Sequence, residues 1–385
     1  MNNLIQLIKY AFKSIDWQLM VLLVALSVMG LVVMHSAVGS TSWRYADQEK
    51  HFLLALVVMT LVAMMPPHII AKCALPFYLI VLVLLLGVEF FGETSKGATR
   101  WLQLGFIRIQ PSEMMKIGVP MMLAWYFQFR ERQIFFIDYV VATIVMLVPF
   151  ALIVKQPDLG TALLVMASGL FVMFFVGLSF KLIVPVVAVV VVGLLSIMYF
   201  EDVLCLPETD WVVLQDYQKG RICTLLDPSK DPLGKGFHTI QSMIAVGAGG
   251  LSGRGYMSGT QAQLDFIPER TTDFIFAVFA EEFGLYGAVT LLILYTAVIW
   301  RGLVIALRAD SLFGRLLVGA LTMEVFVYVF VNMGMVLGLL PVVGVPLPFF
   351  SYGGTALITM SVSFGMLMSI SKHRKAEHPY LSTRT

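Results

Sequence analysis

Ten long apolar stretches constrain this chain more than any other feature. A membrane-spanning helix needs about 20 predominantly apolar residues. Candidate runs fall at Trp17–His35, Gln48–Met65, Ala74–Gly92, Met114–Phe127, Asp138–Val154, Gly160–Gly177, Leu182–Phe200, Asp273–Trp300, Leu316–Leu340 and Tyr352–Ile370. The fourth is short and carries Lys116 and Pro120. Hydrophobic residues make up 59% of the chain and charged ones 13%, against about 25% charged in a soluble domain. That balance leaves too little polar surface to face water on every side. The expected fold is an all-α polytopic membrane domain of about ten spans over residues 1–385. A net charge of +2 without a dense Lys/Arg block gives no footprint for nucleic acid. The first run begins at Trp17 and has the length of a span, not of a cleavable leader.

Ten spans put both termini on one side, and the excess of basic residues in short cytoplasmic segments selects it. With the N-terminus inside, inner segments hold Lys9, Lys13, Lys72, Arg130, Lys181, Arg301, Arg308, Arg315 and Lys372, whereas outer loops hold fewer, among them Arg44, Lys96, Arg100 and Arg108. The orientation is N-in, C-in, and the long polar segment 201–272 between the seventh and eighth spans faces outward. Residues 1–16 carry Leu4, Ile5, Ile8, Ala11 and Phe12 at helical spacing opposite Gln6, Lys9 and Lys13. That pattern reads as an interfacial helix or as a frayed tail. Residues 372–385 read as a cytoplasmic tail.

Ionisable groups in or beside a span are costly, so each needs a reason. Three clusters stand at the outer face. The first runs from Arg100 and Trp101 through Gln110, Ser112 and Glu113 to Lys116. Ser112 suits a helix N-cap and Glu113 the first turn, while Lys116 either snorkels to the interface or serves a site. The second is Gln156-Pro157-Asp158, which reads as a tight turn with Asp158 capping the next helix. The third holds Gln263, Asp265, Glu269, Arg270 and Asp273 at the mouth of the eighth span. Asp273 is either an N-cap or a carboxylate at a water boundary that can act as a base. The glycine-rich stretch 247–255 follows no strand and reads as a flexible turn, not a phosphate cradle. The stretch 341–354, ending in Ser351-Tyr352-Gly353-Gly354, is apolar yet too rich in Pro and Gly for a helix. Irregular backbone at membrane depth must be enclosed by protein or line a wet cavity, so it reads as a re-entrant outer loop lining the same cavity, or else as a rigid surface turn.

The segments GATRWLQLGFIRIQPSEMMK, KQPDLGTALLV, DPLGKGFHTIQSMIAVGAGGLSGRGY, QLDFIPERTTDFIFAVFAEEFG and PVVGVPLPFFSYGG together resemble the signature stretches of the SEDS family (shape, elongation, division, sporulation). Their order and spacing match over nearly the whole chain. The short N-terminal tail and the Pro-Glu-Arg before Thr-Asp are closer to the RodA-like elongation members than to the FtsW-like division members. The resemblance implies a ten-span peptidoglycan glycosyltransferase that polymerises lipid II outside the cytoplasmic membrane, with Asp273 as the essential acidic residue and Trp101 and Lys116 as further site residues. It also implies a class B penicillin-binding protein as partner, docked near the eighth and ninth spans, within an elongation complex. Thr271 stands where the family usually has His. About a dozen residues around Asp202–Gln215 look inserted. Cys205 lies in that stretch and Cys223 follows it, both on the oxidising side, so a Cys205–Cys223 disulfide pinning the insertion and a pair of free thiols are the two alternatives, with Cys73 unpaired.

Within that reading Asp273 is the candidate base, and Arg100, Lys116 and Arg270 are candidate cations for a leaving pyrophosphate. Trp101, Gln110, Ser112, Glu113, Gln156, Asp158, Gln263, Asp265, Glu269, Ser351 and Tyr352 are candidates for shaping the substrate site. No cofactor is certain. A divalent ion, Mg or Mn, would suit the pyrophosphate, although no ligand set is evident. A lipid-linked precursor flippase or transporter, and a non-catalytic scaffold for a penicillin-binding protein, are the competing classes. The clustering of charge at one face, rather than across the midplane, favours chemistry at that face.

Overall fold

The computed structural model describes residues 2–38, 43–95, 98–105, 107–130, 133–206, 216–230, 234, 236–263, 267 and 269–373. In chain order the elements are α1 (Asn2–Ser14), α2 (Trp17–Val38), α3 (Trp43–Ala63), α4 (Pro67–Phe91), β1 (Glu93–Ser95), β2 (Ala98–Leu104), β3 (Ile107–Ile109), α5 (Pro111–Phe129), α6 (Phe136–Lys155), α7 (Leu159–Val176), α8 (Phe180–Tyr199), α9 (Glu201–Leu204), α10 (Asp216–Leu226), α11 (Phe237–Gly249), α12 (Thr260–Gln263), α13 (Ile275–Leu307), α14 (Leu312–Val336) and α15 (Gly354–Lys372).

Among the described residues, α2, α4, α6, α7, α13, α14 and α15 are long and apolar enough to cross a membrane. The other long helices are α3, α5 and α8. Local chemistry sets many of the ends. Pro66 and Pro67 start α4 and Gly92 ends it. The Asp158 side chain caps α7, and Gly177 at φ 106° closes it. The Ser311 hydroxyl caps α14 by accepting from the Gly314 N–H.

The outward surfaces of the long helices are apolar. Val21, Val28 and Val32 on α2, Val57 and Leu61 on α3, and Val83 and Phe90 on α4 are all exposed. Such faces belong in lipid. The centre is built by α5 and α14. Residues 111–124 of α5 are buried except Met114, and α5 packs on α4, α7 and α14. The helix ends near the start of α2 are pinned by Asp16. Its carboxylate accepts two hydrogen bonds from Arg301 of α13, at 3.2 and 2.6 Å, and one from Ser371 of α15 at 2.7 Å.

The structure departs from the all-α expectation in the loop between α4 and α5. A small antiparallel sheet of order β1-β2-β3 forms there, with Gly105 at φ 64° in the turn before β3. Its outer strands have three residues each, too short for alternation to be read from sequence. The eighth span also differs. Its helix starts at Ile275 and is broken at Gly284 (φ 63°, ψ −158°). The first segment is buried from Ile275 through Glu282, and the second presents Leu285, Val289, Ile293 and Trp300 outward.

The glycine-rich stretch before it is a clamp, not a flexible turn. The N–H groups of Arg254 and Gly255 donate to the carbonyls of Glu281 and Glu282, at 2.9 and 3.0 Å. Those of Leu285 and Tyr286 donate back to Gly250 and Leu251, at 2.9 and 3.1 Å. The broken helix thus recovers its backbone bonds from the clamp. Gly253, at φ 80°, lies so close that a Cβ there would overlap the Glu282 carbonyl.

Candidate active site

The three charged clusters and the Pro/Gly-rich loop meet at one end of the bundle. Asp158 joins the first two. Gln110 Nε2 donates to Asp158 Oδ2 at 2.9 Å and to Ser112 Oγ at 3.1 Å, and Arg100 lies 3.9 Å from Asp158. Arg100 also donates to the backbone carbonyls of Gln156, at 3.2 Å, and Pro157. Gln156 is buried, and its amide donates to Leu85 O at 3.2 Å. Much of the Arg100 guanidinium is therefore engaged in holding the α6–α7 turn. Trp101 lies in β2 with the Arg108 guanidinium 4.7 Å from its ring centroid.

Two positions depart from expectation. Gln110, not Ser112, is the N-cap of α5, because Pro111 takes the first helical position; Ser112 is fully buried in the first turn. Lys116 does not snorkel. It is 1% exposed, pairs with Glu113 at 2.7 Å, donates to the Tyr328 hydroxyl and lies 4.9 Å from that ring's centroid. A buried ammonium is tolerable only with such partners.

Tyr328 leads to the third cluster. One turn further along α14, or about 6 Å, the fully buried Asn332 donates from Nδ2 to Asp273 O at 2.8 Å and to Val345 O at 2.7 Å. Sequence reasoning passed over Asn332, although an amide inside an apolar run carries a cost that marks it. Glu324, equally buried on α14, carried the same signal. Asp273 is half-buried in the turn before α13. It is not the N-cap, since Phe274 holds that position without a side-chain bond. A Cβ on Gly344 would sit 3.4 Å from Asp273 Oδ2, so the loop backbone passes close to the carboxylate.

Glu269 orders the turn. Its carbonyl accepts from the N–H groups of Thr272 and Phe274, each at 3.2 Å, and its carboxylate accepts from the Thr272 hydroxyl at 3.1 Å. Arg270 Nε donates to Ala37 O at the end of α2, at 2.7 Å. Thr271 is buried, and its carbonyl accepts from the Tyr352 N–H at 2.9 Å. Gln263 ends α12. Asp265 lies outside the described residues.

The loop from Pro341 to Gly353 is enclosed by protein, with Val345, Leu347, Phe349 and Phe350 buried. Tyr295 donates to Pro348 O at 2.8 Å, Gln48 to Ser351 O at 3.1 Å, and Leu347 N–H to Ser351 Oγ at 2.8 Å. A Cβ on Gly160 would come within 2.5 Å of Val343 O, so α7 also touches the loop. Among the described residues no group of three or more His, Cys, Asp or Glu side chains is placed to hold a metal ion. Cys205 and Cys223 are joined in a disulfide, with Cα atoms 5.7 Å apart, and Cys73 is free.

Fold and site together define a multi-pass membrane protein with a half-buried carboxylate and a buried Lys–Glu–Tyr cluster built around an irregular loop. Residues 17–376 match the FtsW/RodA/SpoVE family, described as "Cell cycle protein", and the chain belongs to that family. It is 47% identical over 364 residues to the peptidoglycan glycosyltransferase MrdB of Escherichia coli, covering 94% of each chain. Its structure resembles a chain described under "Structural coordination of polymerization and crosslinking by a peptidoglycan synthase complex", with TM-score 0.77 and 32% identity over 94% of this chain and 99% of that one. It also resembles the rod shape determining protein RodA of Thermus thermophilus, with TM-score 0.69 and 27% identity over 94% and 98% of the two chains.

Proposed function

We propose that this chain is a RodA-like peptidoglycan glycosyltransferase that polymerises lipid II for cell elongation and rod shape. The relatives' names carry the class of reaction. The observation that carries the site is the placement of Asp273: half-buried, its backbone tied by Asn332 to the same loop that abuts its carboxylate. Asp273 takes the proton from the 4-hydroxyl of an N-acetylglucosamine. The freed oxygen forms a bond to the anomeric carbon of a lipid-linked N-acetylmuramic acid, with inversion to a β-1,4 link. The anomeric carbon–oxygen bond breaks, and undecaprenyl pyrophosphate leaves with the electron pair. A positioned base contributes about 10²–10⁴-fold to such a step. Arg100 and Arg270 stand on the same face as candidate cations for the leaving group, although each also holds backbone. Lys116, enclosed by Glu113 and Tyr328, acts by fixing α5 to α14 beneath the site.

The chain sits in the bacterial inner membrane with ten spans, both termini in the cytoplasm and Asp273 at the periplasmic face. On this reading α1 lies along the inner leaflet and the chain from residue 372 to 385, of which 374–385 lie outside the described residues, is the cytoplasmic tail. A class B penicillin-binding protein docks on the outward faces of α13 and α14, where Val289, Leu292, Ile293, Phe326 and Phe330 are exposed. Other elongation-complex proteins join it.

The test is lipid II polymerisation by the purified chain with a partner whose own glycosyltransferase activity is absent. Glycan from wild type and none from a folded, partner-bound Asp273→Asn variant is expected. Equal polymer from both removes Asp273 from the chemistry, and none from either moves the reading to a flippase or scaffold.

A further inference from the structure

A cavity of about 560 Å³ opens beside the Asp273 turn, and the proton transfer and displacement at Asp273 leave it unused. Its walls are Arg221, Thr224 and Leu225 of α10, His238 and Thr239 of α11, and the loop residues Leu340–Val342. Two residues beyond Val342, Gly344 reaches the Asp273 carboxylate. The opposite wall is just as near. The His238 ring stacks on the ring of Phe274, which follows Asp273, with centroids 5.8 Å apart and planes at 22°. The His238 Nδ1 atom is buried and has no hydrogen-bond partner.

The α10 wall is fixed rather than free. Cys223 lies between Arg221 and Thr224 and is bonded to Cys205 beyond α8, and Lys219 donates to Leu206 O at 2.6 Å. The α11 wall is tied to the core, because Ser242 Oγ donates to Val336 O at 3.0 Å. The volume lies in the range of ordinary ligand sites.

The lining selects the ligand class. Two threonines and an imidazole offer hydrogen bonds, while Leu225, Leu340, Pro341 and Val342 offer aliphatic surface. That mixture matches a pyranose ring, with polar edges and C–H faces. A pyrophosphate would require several converging cations, and Arg221 is the one cation among the described lining residues.

We propose that this cavity is a saccharide subsite, in which the His238 ring and Thr224 contact a sugar of the glycan and α10 forms a disulfide-braced wall. The proposal rests on the glycan-polymerase reading for the identity of its ligand. The disulfide-braced segment then serves to hold sugar units in register beside the reacting carboxylate.

The experiment is a titration of the full chain in lipid nanodiscs with a soluble, peptide-free β-1,4-linked tetrasaccharide of alternating N-acetylglucosamine and N-acetylmuramic acid, read by calorimetry. Wild type and Asp273→Asn should bind it saturably. His238→Ala and Thr224→Phe should each weaken binding at least tenfold. Thr224→Phe fills the cavity from α10 and keeps the test decisive if His238→Ala fails to fold. Unchanged affinity in the folded variants, or no binding by wild type, overturns the proposal. Polymerisation by wild type without tetrasaccharide binding removes the subsite and leaves the polymerase. Tetrasaccharide binding without polymerisation removes the polymerase and leaves a glycan-binding cavity.

Discussion

Replacing Asn332 by alanine isolates the link between Asp273, the proposed base, and the loop beside it. The wild-type amide satisfies two backbone carbonyls, of Asp273 and Val345, at 2.8 and 2.7 Å. Each neutral bond contributes about 0.5–1.5 kcal/mol net, and a buried carbonyl left unpaired costs about 1–3 kcal/mol. Val345 is 2% exposed, so its carbonyl bears most of that cost, whereas the Asp273 turn is half-buried and recovers part of its loss from water. The two together come to roughly 2–4 kcal/mol of local stability. The chain should remain folded, since its other loop bonds, from Tyr295, Gln48 and the Tyr352 N–H, are untouched.

The larger effect falls on rate. A displacement of about 1 Å at a reacting group costs on the order of 10²-fold. Steady-state lipid II polymerisation should therefore show kcat down by about that factor, with KM close to wild type. Asn332→Asp, which removes the donor and faces an anion toward two carbonyl oxygens, should be worse. A wild-type kcat in Asn332→Ala, at an unchanged melting temperature, would refute the reasoning.

Four further outcomes are expected. Lys116→Met should leave Glu113 as a buried, unpaired carboxylate, with a loss of about 3–5 kcal/mol that Glu113→Gln in the same chain partly restores; a melting scan of single and double variants checks it. The Asp16 carboxyl is pushed up by burial, but its bonds to Arg301, Ser371 and the Leu19 N–H outweigh this and hold it below its ordinary pKa of 3.8. Its contribution is thus complete above pH 3.8 and is lost as pH falls through the lower folded value, so Asp16→Asn should lower the melting temperature at pH 7 and narrow its gap to wild type under strong acid. Gly253→Ala should destabilise by about 2–4 kcal/mol, because it adds a clash with the Glu282 carbonyl to left-handed backbone. Cys205 and Cys223 should resist alkylation without reductant, and Cys205→Ser should free α10 of a cross-link that closes an 18-residue separation, worth about 3 kcal/mol by chain entropy; alkylation mass spectrometry and α10 hydrogen exchange read both.

What was legible in the sequence followed from regular periodicity and from cost. The apolar runs located the long helices, because lipid leaves no alternative to a helix that satisfies its own backbone, but not all their ends: α4 begins at Pro67 rather than Ala74, and α13 runs on past Trp300 to Leu307. Asp158 as a cap and the enclosure of the loop before Ser351 were readable for the same reason. The sheet was not, since three-residue strands carry no period. The role of the stretch 247–255 was hidden because glycine signals two opposite things, freedom in a loop and close approach in a packed one; only its partner, the break at Gly284, tells them apart. Lys116 was ambiguous because snorkelling and burial differ by a neighbour on α14, Tyr328, that lies 212 residues away.

The Pro/Gly-rich loop explains why these distant pieces share one site. A helix satisfies its own carbonyls and needs nothing from its neighbours, whereas an enclosed irregular loop must take its donors from elsewhere. Here the donors come from α3 through Gln48, from α13 through Tyr295, from α14 through Asn332, and from the loop's own N–H to Ser351. The loop also donates in the other direction, where the Thr271 carbonyl accepts the Tyr352 N–H. Each bond fixes a helix relative to the loop, and the loop is the surface against which Asp273 rests. A perturbation of packing in any of these helices therefore reaches the carboxylate through the loop's hydrogen bonds. A straight helix in the same place would leave the site to side-chain contacts alone.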